Sequence, residues 1–116
     1  MSRLSFVSVV LVLGCSVAIA ADDKPLLFLN RAGETMVKLQ FAPAGTAKWG
    51  ADQTQYEDDK QVEHNEKIPL QGVTPGRYDV RFTDVKGRSC TVKNLDVKLG
   101  TLIVIRQAEL PPECAR

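Results

Sequence analysis

The chain has 116 residues, 15 of them Lys or Arg and 14 Asp or Glu. That length supports one domain with a modest core. Near-neutral charge argues against nucleic acid as a partner, because phosphate binding needs a basic surplus.

The N-terminus reads as an export signal. Arg3 is its only charge, an apolar run follows from Leu4 to Ile19, and Ala18-Ile19-Ala20-Ala21 precedes the polar Asp22-Asp23-Lys24. This is the n-region, h-region and small-residue cleavage pattern. Release after Ala20 is preferred, giving a periplasmic or secreted protein over residues 21–116. The competing cut uses Val12-Leu13-Gly14-Cys15 as a loose lipoprotein box, with a lipid anchor on Cys15. The run is too short for the ~20 residues of a spanning helix, so no membrane span is expected.

Beyond the signal, short β-type runs alternate with turn signals. Leu26 to Asn30 is a brief apolar run closed by Arg31-Ala32-Gly33-Glu34. Thr35 to Phe41 alternates, with Val37, Leu39 and Phe41 on the inward side. Residues 46–60 form an irregular loop, or a loop with a short helix, and hold the only tryptophan, Trp49, beside the acids Asp52, Glu57, Asp58 and Asp59. Gln61 to Leu70 reads as a polar strand suited to a sheet edge. Thr74-Pro75-Gly76 is a turn, and Arg77 to Thr83 alternates with Tyr78, Val80 and Phe82 inward. Asp84-Val85-Lys86-Gly87 connects a hairpin. Ser89 to Leu99 changes parity near Lys93-Asn94, which predicts a bulge. Thr101 to Ile105 is apolar on both faces and predicts a central, doubly covered strand with Val104 and Ile105 inside. The sum is an all-β protein, an antiparallel β-sandwich of six or seven strands, with a barrel as runner-up.

Loss of the signal leaves two cysteines, Cys90 and Cys114. An even count in an exported chain predicts that they form a disulfide.

Two resemblances follow from these motifs. The stretch Leu70 to Arg81, the hairpin and Val92 to Leu102 are similar to prealbumin-like domains of the carboxypeptidase-regulatory type, which carry a Pro-Gly-x-Tyr-x-Val strand followed by a V-x-V-x-x-G pair; here the last element is Asp96 to Gly100. This covers roughly 45 residues. Asn30 to Gly33, Trp49 to Asp52, Tyr78 to Arg81 and Gly87 to Cys90 resemble a group of small exported bacterial β-sandwich proteins of unassigned function. The resemblance implies an immunoglobulin-like or prealbumin-like sandwich and an extracytoplasmic address; it implies no activity.

No catalytic constellation emerges. His64 is the only histidine and lies in a polar run, no nucleophile motif is present, and no metal or other cofactor site is expected. The leading expectation is a non-enzymatic binding module for a protein or a small polar ligand. Trp49 is its recognition platform, and Asp52, Asp58 and Asp59 select a cationic or hydroxyl-rich partner. The competing reading of Trp49 is a plug at one open end of the sandwich. The alternative function is calcium binding by the same acidic loop, or hydrolysis.

Overall fold

The computed structural model describes residues 25–114. The expected signal peptide at 1–20 and Cys15 lie outside them. Six strands form: β1 (Leu27–Arg31), β2 (Met36–Pro43), β3 (Lys67–Pro69), β4 (Gly76–Asp84), β5 (Ser89–Val97) and β6 (Leu102–Arg106). The only helical pieces among the described residues are short 3-10 turns, at Gln53–Tyr56, Gln107–Glu109 and Pro112–Cys114. The fold is all-β, and no helix among the described residues is long and apolar enough to cross a membrane.

The strands make two three-stranded sheets, ordered β3-β1-β6 and β2-β4-β5. Alternation decides which side chains face between them. Phe28 from β1, Ile103 and Ile105 from β6, and Ile68 from β3 enter one buried cluster with Leu39, Phe41, Val80, Phe82 and Val97 of the other sheet. Phe28 meets Phe41 edge-to-face, with ring centroids 6.2 Å apart, and Phe41 meets Tyr78 at 5.9 Å. Such pairs add roughly 0.5–1.5 kcal/mol to the burial itself. Tyr78 and Val92 pack on this cluster while remaining partly exposed.

Four expectations are corrected. First, the pairing is not wholly antiparallel. β1 runs parallel to β6, with Leu27 opposite Leu102 and Arg31 opposite Arg106. Only neighbours in sequence can close tight hairpins; these two strands come from opposite ends of the domain and meet without one. Second, β6 is an edge strand of its sheet, not a central one. Its Ile103 and Ile105 point inward, Val104 is half-buried on the other face, and Leu102 is 40% exposed. Third, Val37 is 39% exposed and Met36 is buried in its place. A β-bulge between Met36 and Lys38 resets the parity, so Met36 and Leu39 both face the core. Fourth, only Lys67–Pro69 of the expected 61–70 strand pairs as a strand, at the sheet edge. Val62 makes a single bridge to Met36, and the chain then turns through Asn65, whose φ is +73°.

The parity change near Lys93-Asn94 is present. Tyr78 lies opposite Leu95 and Val80 opposite Val92, so two residues of β5 oppose Asp79. Asn94 takes φ +61°, and Asp79 receives the backbone N–H groups of Asn94 and Gly45. These bonds, the Gly45 one first, hold the Asp79 carboxyl below the ordinary aspartate range.

Two buried polar side chains fix the corners. Asn30 is fully buried; its Nδ2 donates to the carbonyls of Glu34 and Val62, and its Oδ1 accepts from Ala32 N. Asp84, 2% exposed, accepts from the backbone N–H groups of Lys86 and Arg88 and from Arg88 Nε at 2.8 Å. Arg88 also reaches the carbonyl of Cys114. Beside it the Cys90–Cys114 disulfide closes, with Cα atoms 5.4 Å apart. A cross-link over 24 residues is worth about 3 kcal/mol in the chain-entropy account.

Replacing Asn30 by Ala takes this partner from the Glu34 carbonyl and from Ala32 N, while the Val62 carbonyl keeps Met36 N. Each lost partner costs about 1–3 kcal/mol, so the urea midpoint of Asn30→Ala is expected to fall by the equivalent of at least ~2 kcal/mol with its slope unchanged. An unaltered midpoint would show that the amide is dispensable.

Asp84 sets a pH dependence. Burial pushes its carboxyl up, but the hydrogen bonds from the backbone and side chain of Arg88 and from Lys86 N outweigh it, so its pKa lies below the ordinary value. The native state therefore holds this proton less tightly than the unfolded chain. The contribution is complete above about pH 4 and is lost as pH falls through the native pKa. Asp84→Asn is expected to lower stability by about 1–3 kcal/mol at pH 7 and to flatten the decline in melting temperature below about pH 4. An acid limb as steep as that of the native protein contradicts this assignment.

Candidate functional site

The irregular loop folds back along the free edge of β2. Thr46 closes a turn onto the Pro43 carbonyl through both its backbone N and its Oγ1. The chain then reverses, and Gly50 N donates to the Phe41 carbonyl at 2.9 Å. This brings Trp49 over the outer face of the β2-β4-β5 sheet. There its ring stacks on the Arg81 guanidinium, with Cζ 4.3 Å from the ring centroid. Arg81 is an outward residue of β4, between buried Val80 and Phe82. Its Nε donates to Gln40 Oε1, and Gln40 Nε2 donates to the Gly50 carbonyl. Gln40 thus holds the arginine in place with one end of its amide and the loop with the other.

Trp49 is therefore neither a plug between the sheets nor a free loop tip; it is half-buried against the outside of one sheet. Past Arg81 the same face continues into a depression of about 350 Å³ lined by Lys38, Thr83, Ser89 and Thr91. Thr83 Oγ1 and Ser89 Oγ are 3.0 Å apart. The face offers two cationic donors, three hydroxyls and an aromatic ring.

The acidic residues take other roles. Asp52 Oδ1 accepts from Thr54 N, Thr54 Oγ1 and Leu39 N, all within 3.0 Å. It caps the 3-10 turn at Gln53–Tyr56 and ties that turn to the bulge of β2. Gln53, also buried, clasps the backbone N and O of Gln71. Between the two loops lies a second cleft of about 300 Å³, with Phe41, Tyr78 and the half-exposed Tyr56 in its wall. Asp58 and Asp59 are exposed, and Asp59 accepts from Gln61 N. The Glu57 carboxyl is raised, first by burial and then by Glu66, Asp59 and Asp58. His64 lies elsewhere, its Nδ1 accepting from Gly33 N. Among the described residues no three of His, Cys, Asp and Glu gather into a group that could hold a metal ion.

The neighbour of Trp49 is thus a cation, where the sequence order had suggested acids. Arg81 and Gln40 are separated from Trp49 by 32 and 9 positions. The period-two pattern places both on the outward face; it carries no information about which loop folds over that face.

Protein-family models, curated proteins and solved structures give no match to this chain.

Removing the Asp52 carboxylate deletes a cap and leaves Leu39 N without its acceptor. Asp52→Ala is expected to cost about 1–2 kcal/mol and to speed amide hydrogen exchange at Leu39 and Thr54. Unchanged exchange at both amides would contradict the tie between loop and bulge.

Proposed function

We propose that this protein is an exported, non-enzymatic binding module whose ligand lies on the outer face of the β2-β4-β5 sheet, against Trp49. The observation that carries this reading is the Trp49–Arg81 stack, fixed by Gln40 and opening onto the Lys38, Thr83, Ser89 and Thr91 depression. A half-buried aromatic ring beside clustered hydroxyl and cationic donors suits a small polar, hydroxyl-rich ligand. The ring meets the C–H faces of such a ligand, and the donors meet its oxygens. Arg81, Lys38, Thr83, Ser89 and Thr91 stand on strands and Trp49 is stacked on Arg81, so little ordering is left for the moment of binding.

Export is supported by the signal pattern of the first twenty residues and by the Cys90–Cys114 disulfide, which persists in oxidising compartments. For the pair of sheets we propose a sandwich of the immunoglobulin-like or prealbumin-like kind. The stretches that carry the prealbumin-like resemblance, Leu70 to Arg81 and Val92 to Leu102, run into β4 and through β5 to the start of β6. The calcium-binding or hydrolytic alternative has no observation in its favour.

Trp49 is the only tryptophan of the chain, so its emission reports on this face alone. A panel of neutral and acidic oligosaccharides is titrated against that emission, with calorimetry on Trp49→Ala. The native protein is expected to show a saturable change for at least one member of the panel. Trp49→Ala is expected to lose that binding while losing only about 1 kcal/mol of stability, the scale of an exposed cation–π pair. A stability loss of about 3–5 kcal/mol would make Trp49 a core residue instead, and binding retained by Trp49→Ala would also overturn the reading.

A further inference from the structure

The other sheet carries an arrangement that nothing above uses. Arg31 and Arg106 are register partners on the parallel strands β1 and β6. Neighbouring strands lie about 4.8 Å apart, and partners in register project on the same face. Both follow inward residues, Asn30 and Ile105, and both are exposed on the outer face. Two like charges set side by side in a sheet repel each other and destabilise it.

Elsewhere this chain answers its arginines. Arg77 donates to the Asn94 carbonyl, Arg81 to Gln40 and Arg88 to Asp84. The Arg31 and Arg106 side chains have no ion pair or hydrogen bond among the described residues. With His64 and Gln107 they line an open depression of about 550 Å³ whose wall contains no acidic residue.

Two of the lining side chains, Gln107 and His64, rest against Gly33. Its φ is +102°, and a Cβ there would lie 2.8 Å from Gln107 Oε1, so only glycine lets that side chain lie against the turn. The same residue donates its N–H to His64 Nδ1 at 3.2 Å. In its neutral form that imidazole then carries its proton on Nε2, as a donor. Arg31, Arg106, His64 and Gln107 thus line one depression.

We propose that this depression is a binding site for a phosphate group, held between the Arg31 and Arg106 guanidinium groups with His64 as a third donor. Planar forks pair bidentately with tetrahedral oxyanions, and a dianion between them turns their repulsion into attraction. The group has two sources, free inorganic phosphate or the headgroup of an anionic phospholipid. The outward residues preceding the arginines along β1 and β6, Leu29 and Val104, are apolar and half-buried, which a lipid surface would also meet. The site lies on the opposite sheet from Trp49 and stands or falls independently of the reading given above.

Inorganic phosphate is titrated against the full chain at low ionic strength, with chloride at matched ionic strength as reference, and melting temperature and heat of binding are read. In parallel the protein is sedimented with vesicles of phosphatidylglycerol or of phosphatidylcholine alone. Phosphate is expected to raise the melting temperature beyond chloride, with affinity in the millimolar range or better. Arg31→Gln/Arg106→Gln is expected to weaken it at least tenfold, and Lys93→Gln/Lys98→Gln, which removes the same charge elsewhere, is expected to leave it unchanged. Without phosphate the arginine double variant should melt no lower than the native protein, since a repulsion has been removed. Binding to phosphatidylglycerol but not phosphatidylcholine, lost in the arginine variant, assigns the headgroup; a response to inorganic phosphate without vesicle binding assigns the free ion. Equal effects of phosphate and chloride with no vesicle binding overturn the proposal, and so does a phosphate response or vesicle binding that survives in the arginine double variant or in Arg106→Gln alone.

Discussion

The amide of Asn30 occupies the place where the chain twice passes between its two sheets. One crossing is the turn from β1 to β2, held through Ala32 N and the Glu34 carbonyl; the other is the stretch from Val62 to Glu66 that leads into β3. The backbone of Asn30 takes part as well, donating to the Glu66 carbonyl and accepting from Asn65 N. Every polar atom of the residue therefore has a partner, which is what makes its complete burial tolerable. An apolar residue here would fill the space equally well and leave Ala32 N and the Glu34 carbonyl without this partner. The contact between Phe28 and Phe41, and with it the shared core, relies on both crossings being held at this spacing.

The same device recurs at each corner. Asp84 gathers the β4–β5 turn, Asp79 gathers the bulge at Asn94, and Asp52 joins the Trp49 loop to the bulge in β2. A short carboxylate or amide reaches backbone N–H groups two residues on, as at Asn30, Asp52 and Asp84, or in a neighbouring segment, as at Asp79, without disturbing the strand that carries it. In a domain with so small a core, these bonds decide where loops lie, and the loops decide what the outer faces display. The Trp49–Arg81 stack exists because Asp52 and Gln40 bring the loop back over β2.

The apolar part of this architecture was readable in the chain. Alternation at Leu39 and Phe41, at Val80 and Phe82, and the parity break before Leu95 mark strand, face and bulge, because a buried face imposes period two on any strand that covers it. The cysteine pair was readable from its even count together with the expectation of export. Val37 was misplaced because the β2 bulge depends on Asp52, thirteen or more positions away. The composition of β6, apolar on both faces, points to a central strand; its outer face borders the arginine depression instead of a third layer. Of the candidate site, Trp49 was legible as an unusual residue, yet its partner was not: the fold-back that joins it to Arg81 rests on backbone hydrogen bonds that leave no compositional trace.

The parallel pairing of β1 with β6 has a consequence for how the molecule forms. β1 is the middle strand of its sheet, but one of its two neighbours is the last strand to be made. The β2-β4-β5 sheet can assemble from nearby segments, whereas the other waits for the far end of the chain. Closing so long a loop is slow relative to hairpin formation. A chain that emerges from its N-terminus first holds the edge of β1 and the inner side of Phe28 open until residue 106 is clear. The cross-link to Cys114 follows eight residues later, and so acts as a latch on a sheet already closed rather than as a guide to closing it.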